Sequence, residues 1–104
     1  MSDVLISWFE QAQKLLPRDR PKALDIIYDK VDDWLCAGKF STCNEFLKLV
    51  DVNTADSLLL LAILTVTHAA RDKLPYRTEF IKCIRTSMEL RGEDYEKILK
   101  GWLE

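Results

Sequence analysis

The sequence contains few of the residues on which turns, disulfides and acid–base chemistry depend. Its 104 residues include three glycines, three prolines, three cysteines and one histidine. So few glycines and prolines exclude a collagen-like or low-complexity chain, and 48% apolar with 31% charged residues is ordinary for a globular protein. A chain of this length predicts a single helical domain, 1–104, built around one hydrophobic core.

Features that direct a protein to secretion or to a membrane are also missing. Residues 1–8 lack the basic start, the apolar run and the small-residue cleavage site of a signal peptide. The longest apolar stretch, 55–70, is interrupted by Asp56, Ser57 and His68, and it falls short of the roughly 20 residues of a membrane span. We therefore expect a cytoplasmic protein that does not contact membranes.

The sequence predicts neither a cofactor nor a metal site. Cys36, Cys43 and Cys83 are odd in number and contain no Cys-x-x-Cys pair, which favours buried free thiols over a disulfide framework. Together with His68 they lack the closely spaced ligand pairs of a structural zinc site. Neither a nucleophile motif nor a glycine-rich phosphate loop accompanies His68, the only histidine. We predict that the protein is not an enzyme, and catalysis centred on His68 is a distant alternative.

Apolar residues recur at helical spacing through the whole chain, which predicts an all-α fold. We expect about six helices in antiparallel hairpin pairs, forming an irregular bundle or a short solenoid-like stack. The expected breaks between them are Pro17–Pro21, Gly38, 51–54, Leu74–Pro75 and Gly92. The fourth helix, about 55–71, is apolar in every direction around its axis, so we predict that it is the buried centre of the fold.

The sequence also predicts which residues cap these helices and which of their faces are buried. Thr42 and Glu45 have capping-box spacing at the start of the third helix, and Asn53 or Thr54 is placed to cap the fourth. The second helix is expected to gather one apolar side from Leu24, Ile27, Tyr28, Val31, Trp34 and Leu35. Its aspartates surround that side, and we interpret them as a solvated face rather than as a metal or general-acid site.

The turn after the second helix resembles the tetratricopeptide repeat. That family carries a glycine, an aromatic residue two positions later, and then small and large apolar residues at fixed intervals. Here the pattern is Gly38-x-Phe40-x-x-Cys43-x-x-x-Leu47-x-x-Val50. The resemblance implies one partial helical hairpin, and it departs from the family upstream, where Lys30 and Val31 replace leucine and glycine, and at Ala55, where the family has proline. There is no second copy at the family's period, and no function is carried over.

A cluster of basic residues is the first candidate surface. It consists of Arg71, Lys73, Arg77, Lys82 and Arg85, across the predicted corner between the fourth and fifth helices. Because the net charge is only −2, an anionic partner has to be met by such a local patch. The cluster can face phosphate, an acidic protein groove or only water. Tyr76 and Phe80 are expected in the core rather than as base-stacking aromatics between these charges.

Aromatic residues near both ends of the chain are the second candidate. They either cap the ends of the helical stack or leave a docking surface for a partner helix or a second copy of the chain. We predict a non-enzymatic protein–protein interaction module of the adaptor, inhibitor or immunity type, which binds another protein or forms a homodimer. Its candidate partner contacts are Trp8, Phe9, Trp102, Arg77, Lys82 and Arg85. The alternative is nucleic-acid or nucleoprotein binding through the basic residues of Arg71–Arg85.

Overall fold

The computed structural model describes residues 2–93 and residue 97. This part of the chain contains five α-helices and one 3₁₀ segment, without a β-strand. The helices are α1 (Ser2–Leu15), α2 (Arg20–Cys36), α3 (Phe40–Leu49), α4 (Ser57–Thr67) and α5 (Arg77–Leu90), and the 3₁₀ segment (His68–Lys73) directly follows α4. The all-α class is confirmed. The sixth helix and Trp102, both part of the prediction, lie outside the described residues.

The breaks on both sides of α2 lie where the sequence predicts them, at Pro17–Pro21 and at Gly38, and Asp19 adds a cap that was not predicted. The Asp19 carboxylate accepts a hydrogen bond from the Lys22 backbone N–H at 3.2 Å, and Pro21 lies in the first turn, where its missing N–H is not needed. After α2 the chain turns at Gly38, whose φ of +73° lies in the left-handed region that favours glycine. A tight turn therefore connects α2 to α3.

The predicted capping box of α3 is wrong, because the helix begins earlier than expected. Its first residue is Phe40, so Thr42 already lies inside the first turn, and no side chain caps the helix start. The Glu45 carboxylate instead contacts the Lys48 ammonium at 3.2 Å on the exposed side of the same helix. The side chain placed for capping is thus used in a surface ion pair.

The cap of α4 also differs from the prediction. Asp56 is the N-cap, and its carboxylate accepts a hydrogen bond from the Leu58 N–H at 2.9 Å. Asn53 and Thr54 belong to the preceding turn, where the Asn53 N–H donates to the Asp51 carboxylate at 3.0 Å. Asp56, rather than Asn53 or Thr54, therefore supplies the capping oxygen, and its negative charge also suits the positive end of the helix dipole.

The α-helical part of α4 ends four residues before the predicted limit of 71. The buried Arg77 side chain donates to the Leu64 carbonyl at 2.9 Å, a carbonyl that would accept from His68 in a continued α-helix. The His68 N–H bonds to Thr65 instead, which is the tighter spacing of a 3₁₀ turn. A side chain from the next helix thus accompanies the change from α to 3₁₀ geometry.

The predicted burial of the fourth helix is confirmed. Six of the eleven residues of α4 are buried, and they lie on several sides of the helix. The helix with the most extensive contacts, however, is α2, which packs against α1, α3 and α4, while α3 also packs against α5. The described residues therefore do not show three separate hairpins around α4 alone.

The buried side of α2 is rotated relative to the prediction. Its buried residues are Ala23, Ile27, Val31 and Trp34, at the spacing of one helical face. Tyr28 was expected on that face but is 36% exposed. Since Ala23 and Trp34 lie on the far side of the helix from Tyr28, contact through them turns the tyrosine toward solvent.

Candidate functional site

Most of the predicted basic cluster lines a cleft between the 3₁₀ segment and the N-terminal part of α5. The cleft has a volume of about 420 Å³. Its lining consists of Arg71, Asp72, Arg77, Thr78, Ile81, Lys82 and Arg85, and we call it the basic cleft. Four of these seven residues are basic and one is acidic, so the cleft attracts anions.

The spacing of residues along α5 explains why the cleft forms on this side. Thr78, Ile81, Lys82 and Arg85 occur at i, i+3, i+4 and i+7, which places them on one helical face. The rest of the helix contributes the buried residues Phe80, Ile84, Ser87 and Met88. Lys82 and Arg85 are exposed, whereas Ile81 is half-buried and adds an apolar strip beside them. The face therefore combines two outer cations with one apolar contact.

Arg77 forms the floor of the basic cleft. It was predicted to contact a partner, and it is the residue whose position differs most from its prediction. Its side chain is only 4% exposed. The guanidinium donates from Nε to the Thr67 hydroxyl and from Nη2 to the Leu64 carbonyl, both at 2.9 Å. Burial lowers the pKa of Arg77, and the neighbouring charge of Arg71 lowers it further. Arg77 is thus an internal link between α4 and α5, and we remove it from the set of side chains that reach a partner.

The other charges of the basic cleft are held at its rim. Arg71 donates from Nη1 to the His68 carbonyl at 2.8 Å, which satisfies a carbonyl of the 3₁₀ segment. Arg71, Lys82 and Arg85 are exposed, so salt screens their interactions with anions. Lys73 does not line the cleft, and its ammonium lies 4.9 Å from the centre of the Phe40 ring. The predicted cluster therefore separates into three parts: Arg77 in the floor of the cleft, Arg71, Lys82 and Arg85 at its rim, and Lys73 outside it.

The chemistry of these residues is what indicates the ligand of the basic cleft. No family model, curated protein or solved structure matches this chain. Guanidinium groups donate paired hydrogen bonds to carboxylates and phosphates, and an ammonium acts as a compact point charge. Ile81 offers apolar contact next to these donors. The basic cleft is therefore suited to anionic groups that project from a partly apolar surface.

The aromatic residues of α1 belong to a cluster with Trp34 and Phe46. Ring centroids lie 4.8 Å apart for Trp8 and Phe46, 5.7 Å for Trp8 and Trp34, and 5.8 Å for Phe9 and Phe46. Phe9 is 2% exposed, so it lies in the core and offers no surface to a partner. Trp8 is half-buried, and its indole N–H is buried without a hydrogen-bond acceptor in the described chain. This packing supports the capping interpretation of α1.

His68 lies outside the basic cleft. It follows the last residue of α4, is half-buried, and has an Nδ1 atom without a hydrogen-bond partner in the described part of the protein. Within residues 2–93 and 97, no group of three or more histidine, cysteine, aspartate or glutamate side chains is arranged to hold a metal ion. None of the helices described here combines the length and apolar character that crossing a bilayer requires.

The three cysteines are free thiols in different surroundings. Cys43 is buried, Cys83 is half-buried and Cys36 is exposed, so the expectation of buried thiols holds fully only for Cys43. Burial raises the pKa of Cys43 to about 11. The negative charge of Asp32 is the main cause that raises the pKa of Cys36, whose Sγ lies 3.7 Å from that carboxylate. Raised pKa values disfavour the reactive thiolate at both positions.

A second cleft was not predicted from the sequence. It has a volume of about 600 Å³, and its charged lining residues are Arg20, Asp56, Arg91 and Glu93. Its charges are of mixed sign, and three of them take part in internal hydrogen bonds. Asp56 accepts from the Leu58 N–H, Glu93 accepts from Ser57 at 2.7 Å, and Arg91 donates to the Val52 carbonyl. Three segments distant in the sequence build this cleft, so no local pattern indicates it. In the basic cleft, by contrast, the spacing along α5 was a usable signal for the missed residues Thr78 and Ile81.

Proposed function

We propose that this protein is a non-enzymatic interaction module that binds an acidic segment of a partner protein in the basic cleft. The observation that carries the proposal is the combination, in one cleft, of Arg71, Lys82 and Arg85 at the rim with the buried charge of Arg77 below them. A carboxylate entering the cleft meets cations from two structural elements, the 3₁₀ segment and α5. Such an arrangement favours charge-assisted and paired hydrogen bonds to carboxylates.

The size and lining of the basic cleft favour a protein segment over nucleic acid. Nonspecific nucleic-acid surfaces combine a positive groove along the backbone with aromatic side chains on which bases stack. The basic cleft is small, with a volume of about 420 Å³, and its lining contains Ile81 but no aromatic residue. Exposed aspartates on α2 and a net charge of −2 also oppose the approach of a long phosphate backbone. Nucleic-acid or nucleoprotein binding through the same cations is the second candidate.

The non-enzymatic part of the proposal is supported by the surroundings of His68 and the cysteines. His68 does not line the basic cleft, so it is not positioned to exchange protons with a ligand bound there. Cys43 is buried with a raised pKa, and the pKa of the exposed Cys36 is raised as well. Three free thiols suit a reducing compartment such as the cytoplasm, where we propose that the protein acts.

Affinity capture from the native host with matched variants tests the proposal. The wild-type chain, a cleft variant (Lys82→Glu with Arg85→Glu) and a control (Lys14→Glu with Arg18→Glu) are compared as baits after nuclease treatment. The control makes the same change in net charge outside the basic cleft. We expect a stoichiometric protein partner with the wild type and the control, and its loss with the cleft variant. Retention of that partner by the cleft variant, at unchanged thermal stability, would contradict the proposal.

A binding assay with a labelled oligonucleotide separates the second candidate from the first. If phosphates are the ligand, the logarithm of the affinity falls with the logarithm of the salt concentration by roughly 0.7 to 0.9 per phosphate contacted. The cleft variant would then bind more weakly and show a smaller slope than the control. Salt-independent binding, or none, would remove the nucleic-acid candidate and leave the protein ligand.

A further inference from the structure

The exposed side of α2 carries an acidic stripe that the fold does not use. It consists of Asp25, Tyr28, Asp29 and Asp32, at positions i, i+3, i+4 and i+7 of one helix. The three aspartates are exposed, and the tyrosine is 36% exposed, one of the most exposed large apolar side chains in the described chain. Because the core-facing residues of α2 lie on the other side of the helix, the whole stripe is open to a partner.

Few contacts within the described chain neutralise the charges of the acidic stripe. Within residues 2–93, Asp25 and Asp29 form no ion pair, and Asp32 accepts a hydrogen bond from the Cys36 thiol at 3.7 Å. The neighbouring Lys30 does not neutralise it, since its ammonium lies 5.6 Å from the centre of the Trp34 ring, toward the core side of α2. The stripe therefore presents three negative charges around an aromatic ring.

The acidic stripe and the basic cleft have matching patterns. On α5, Thr78, Ile81, Lys82 and Arg85 occupy i, i+3, i+4 and i+7, the same spacing as in the stripe. Tyr28 corresponds to Ile81, and the two positions that follow are acidic on α2 but basic on α5. Both patterns extend over about 10 Å along a helix. Two such surfaces can place opposite charges together while their apolar side chains meet.

We propose that the chain associates with a second copy of itself, with the acidic stripe of one copy bound in the basic cleft of the next. This inference rests on the proposed function, since it assigns the acidic segment that the cleft binds. The two surfaces lie on helices that do not pack extensively against each other, so one copy can use both at once. Such a contact joins two different surfaces, and it is therefore head-to-tail in character.

The expected contact is weak and sensitive to salt. Two helical turns on each side bury much less than the roughly 1,200 Å² of a stable interface. The charges at its edge are exposed, and salt screens them. We expect a dissociation constant in the range of about 10 to 100 μM. Raising the salt concentration from about 50 to 300 mM should weaken the association severalfold.

Mixing two variants of the full chain tests the head-to-tail contact. The cleft variant (Lys82→Glu with Arg85→Glu) and a stripe variant (Asp29→Lys with Asp32→Lys) are each expected to be monomeric in sedimentation velocity, with an affinity at least about tenfold weaker than the wild type. When they are mixed, the intact stripe of the first meets the intact cleft of the second. The mixture should therefore associate, with the two variants in equal amounts in the associated species. A chain that carries all four substitutions should associate again, because both charges are exchanged.

A control variant and a milder pair keep the experiment decisive. Glu10→Lys with Glu45→Lys changes the net charge equally outside both surfaces and should leave association unchanged. If a charge reversal lowers the thermal midpoint, the neutral pairs Lys82→Gln with Arg85→Gln and Asp29→Asn with Asp32→Asn replace it.

Two results would overturn the self-association inference. The first is a wild-type chain that stays monomeric at about 1 mM in low salt, and the second is a variant mixture that stays monomeric although the wild type associates. Partner capture that still depends on the basic cleft would then leave the proposed function standing. If the cleft variant kept both partner capture and self-association, the proposed function and the self-association inference would both be overturned.

Discussion

Replacing Arg77 by methionine tests how α4 and α5 are joined. Methionine keeps an unbranched apolar side chain but removes the donors to Thr67 and Leu64. Hydrogen bonds from a charged group contribute about 1.5 to 3 kcal/mol each, yet burying a cation costs several kcal/mol, which its removal recovers. The remaining cost comes from the buried Leu64 carbonyl and Thr67 hydroxyl, which have lost a hydrogen-bond donor. This cost is about 1 to 3 kcal/mol. We expect the free energy of unfolding to fall by about 2 kcal/mol.

Urea unfolding followed by circular dichroism measures this loss, with Lys82→Met as the exposed control on the same helix. For a domain of this size, about 2 kcal/mol corresponds to a drop of roughly 10 °C in the thermal midpoint. A double-mutant cycle with Thr67→Val should give a coupling of about 0.5 to 3 kcal/mol. If Arg77→Met were as stable as the wild type, the desolvation of the guanidinium would balance its hydrogen bonds, and the assignment of Arg77 as a stabilising link would be refuted.

Four further predictions concern the core and the thiols. Leu60→Ala is expected to lower the free energy of unfolding by about 2 to 5 kcal/mol, and Leu58→Ala by less than about half as much, because Leu60 is fully buried whereas Leu58 is 36% exposed. Equal losses in urea unfolding would contradict this burial pattern. Trp8→Phe removes a buried N–H that has no acceptor in the described chain, but it also removes part of a ring that packs against Trp34 and Phe46. Thermal melts should therefore show a stability within about 1 kcal/mol of the wild type. A larger decrease would contradict the assignment of an unsatisfied N–H as a compensating cost. Iodoacetamide should modify Cys36 before Cys43, since burial raises the pKa of Cys43 to about 11. The free energy of unfolding should also decrease above about pH 9, because there the unfolded chain releases the Cys43 proton and the folded chain keeps it. In Cys43→Ala the free energy of unfolding should decrease less steeply with pH.

The helical class and the burial of α4 followed from the sequence because they depend on local patterns. A run of apolar residues in every direction around a helix has to be enclosed, whatever the neighbouring elements are. The end of α4 does not depend on such a pattern. It involves Arg77, which lies 13 residues after Leu64 in the chain and reaches its carbonyl only in the folded structure. Capping errors at Thr42 and Asn53 had a smaller cause, since several nearby oxygens competed for the same role.

The candidate site was predicted in part for a related reason. Charge along the sequence located the basic cleft, and the helical spacing of Lys82 and Arg85 was visible in advance. Whether a given arginine lies on the rim or in the floor depends on how α5 docks against α4, and the sequence does not contain that angle. Tyr28 illustrates the same limit, since Ala23, which was not predicted on the buried side of α2, lies in the core and Tyr28 is exposed.

The buried guanidinium of Arg77 has a consequence for any ligand of the basic cleft. A flexible surface arginine loses rotamer freedom when it binds, and this entropy is subtracted from the affinity. Arg77 does not contact the ligand, but folding has already fixed its charge below the cleft, so the attraction that this charge adds costs no rotamer freedom on binding. A carboxylate bound at the rim favours the buried charge of Arg77, and the same side chain donates to a carbonyl at the end of α4. Because a ligand that binds only the folded chain stabilises that chain, occupancy of the basic cleft should raise the unfolding temperature of the domain.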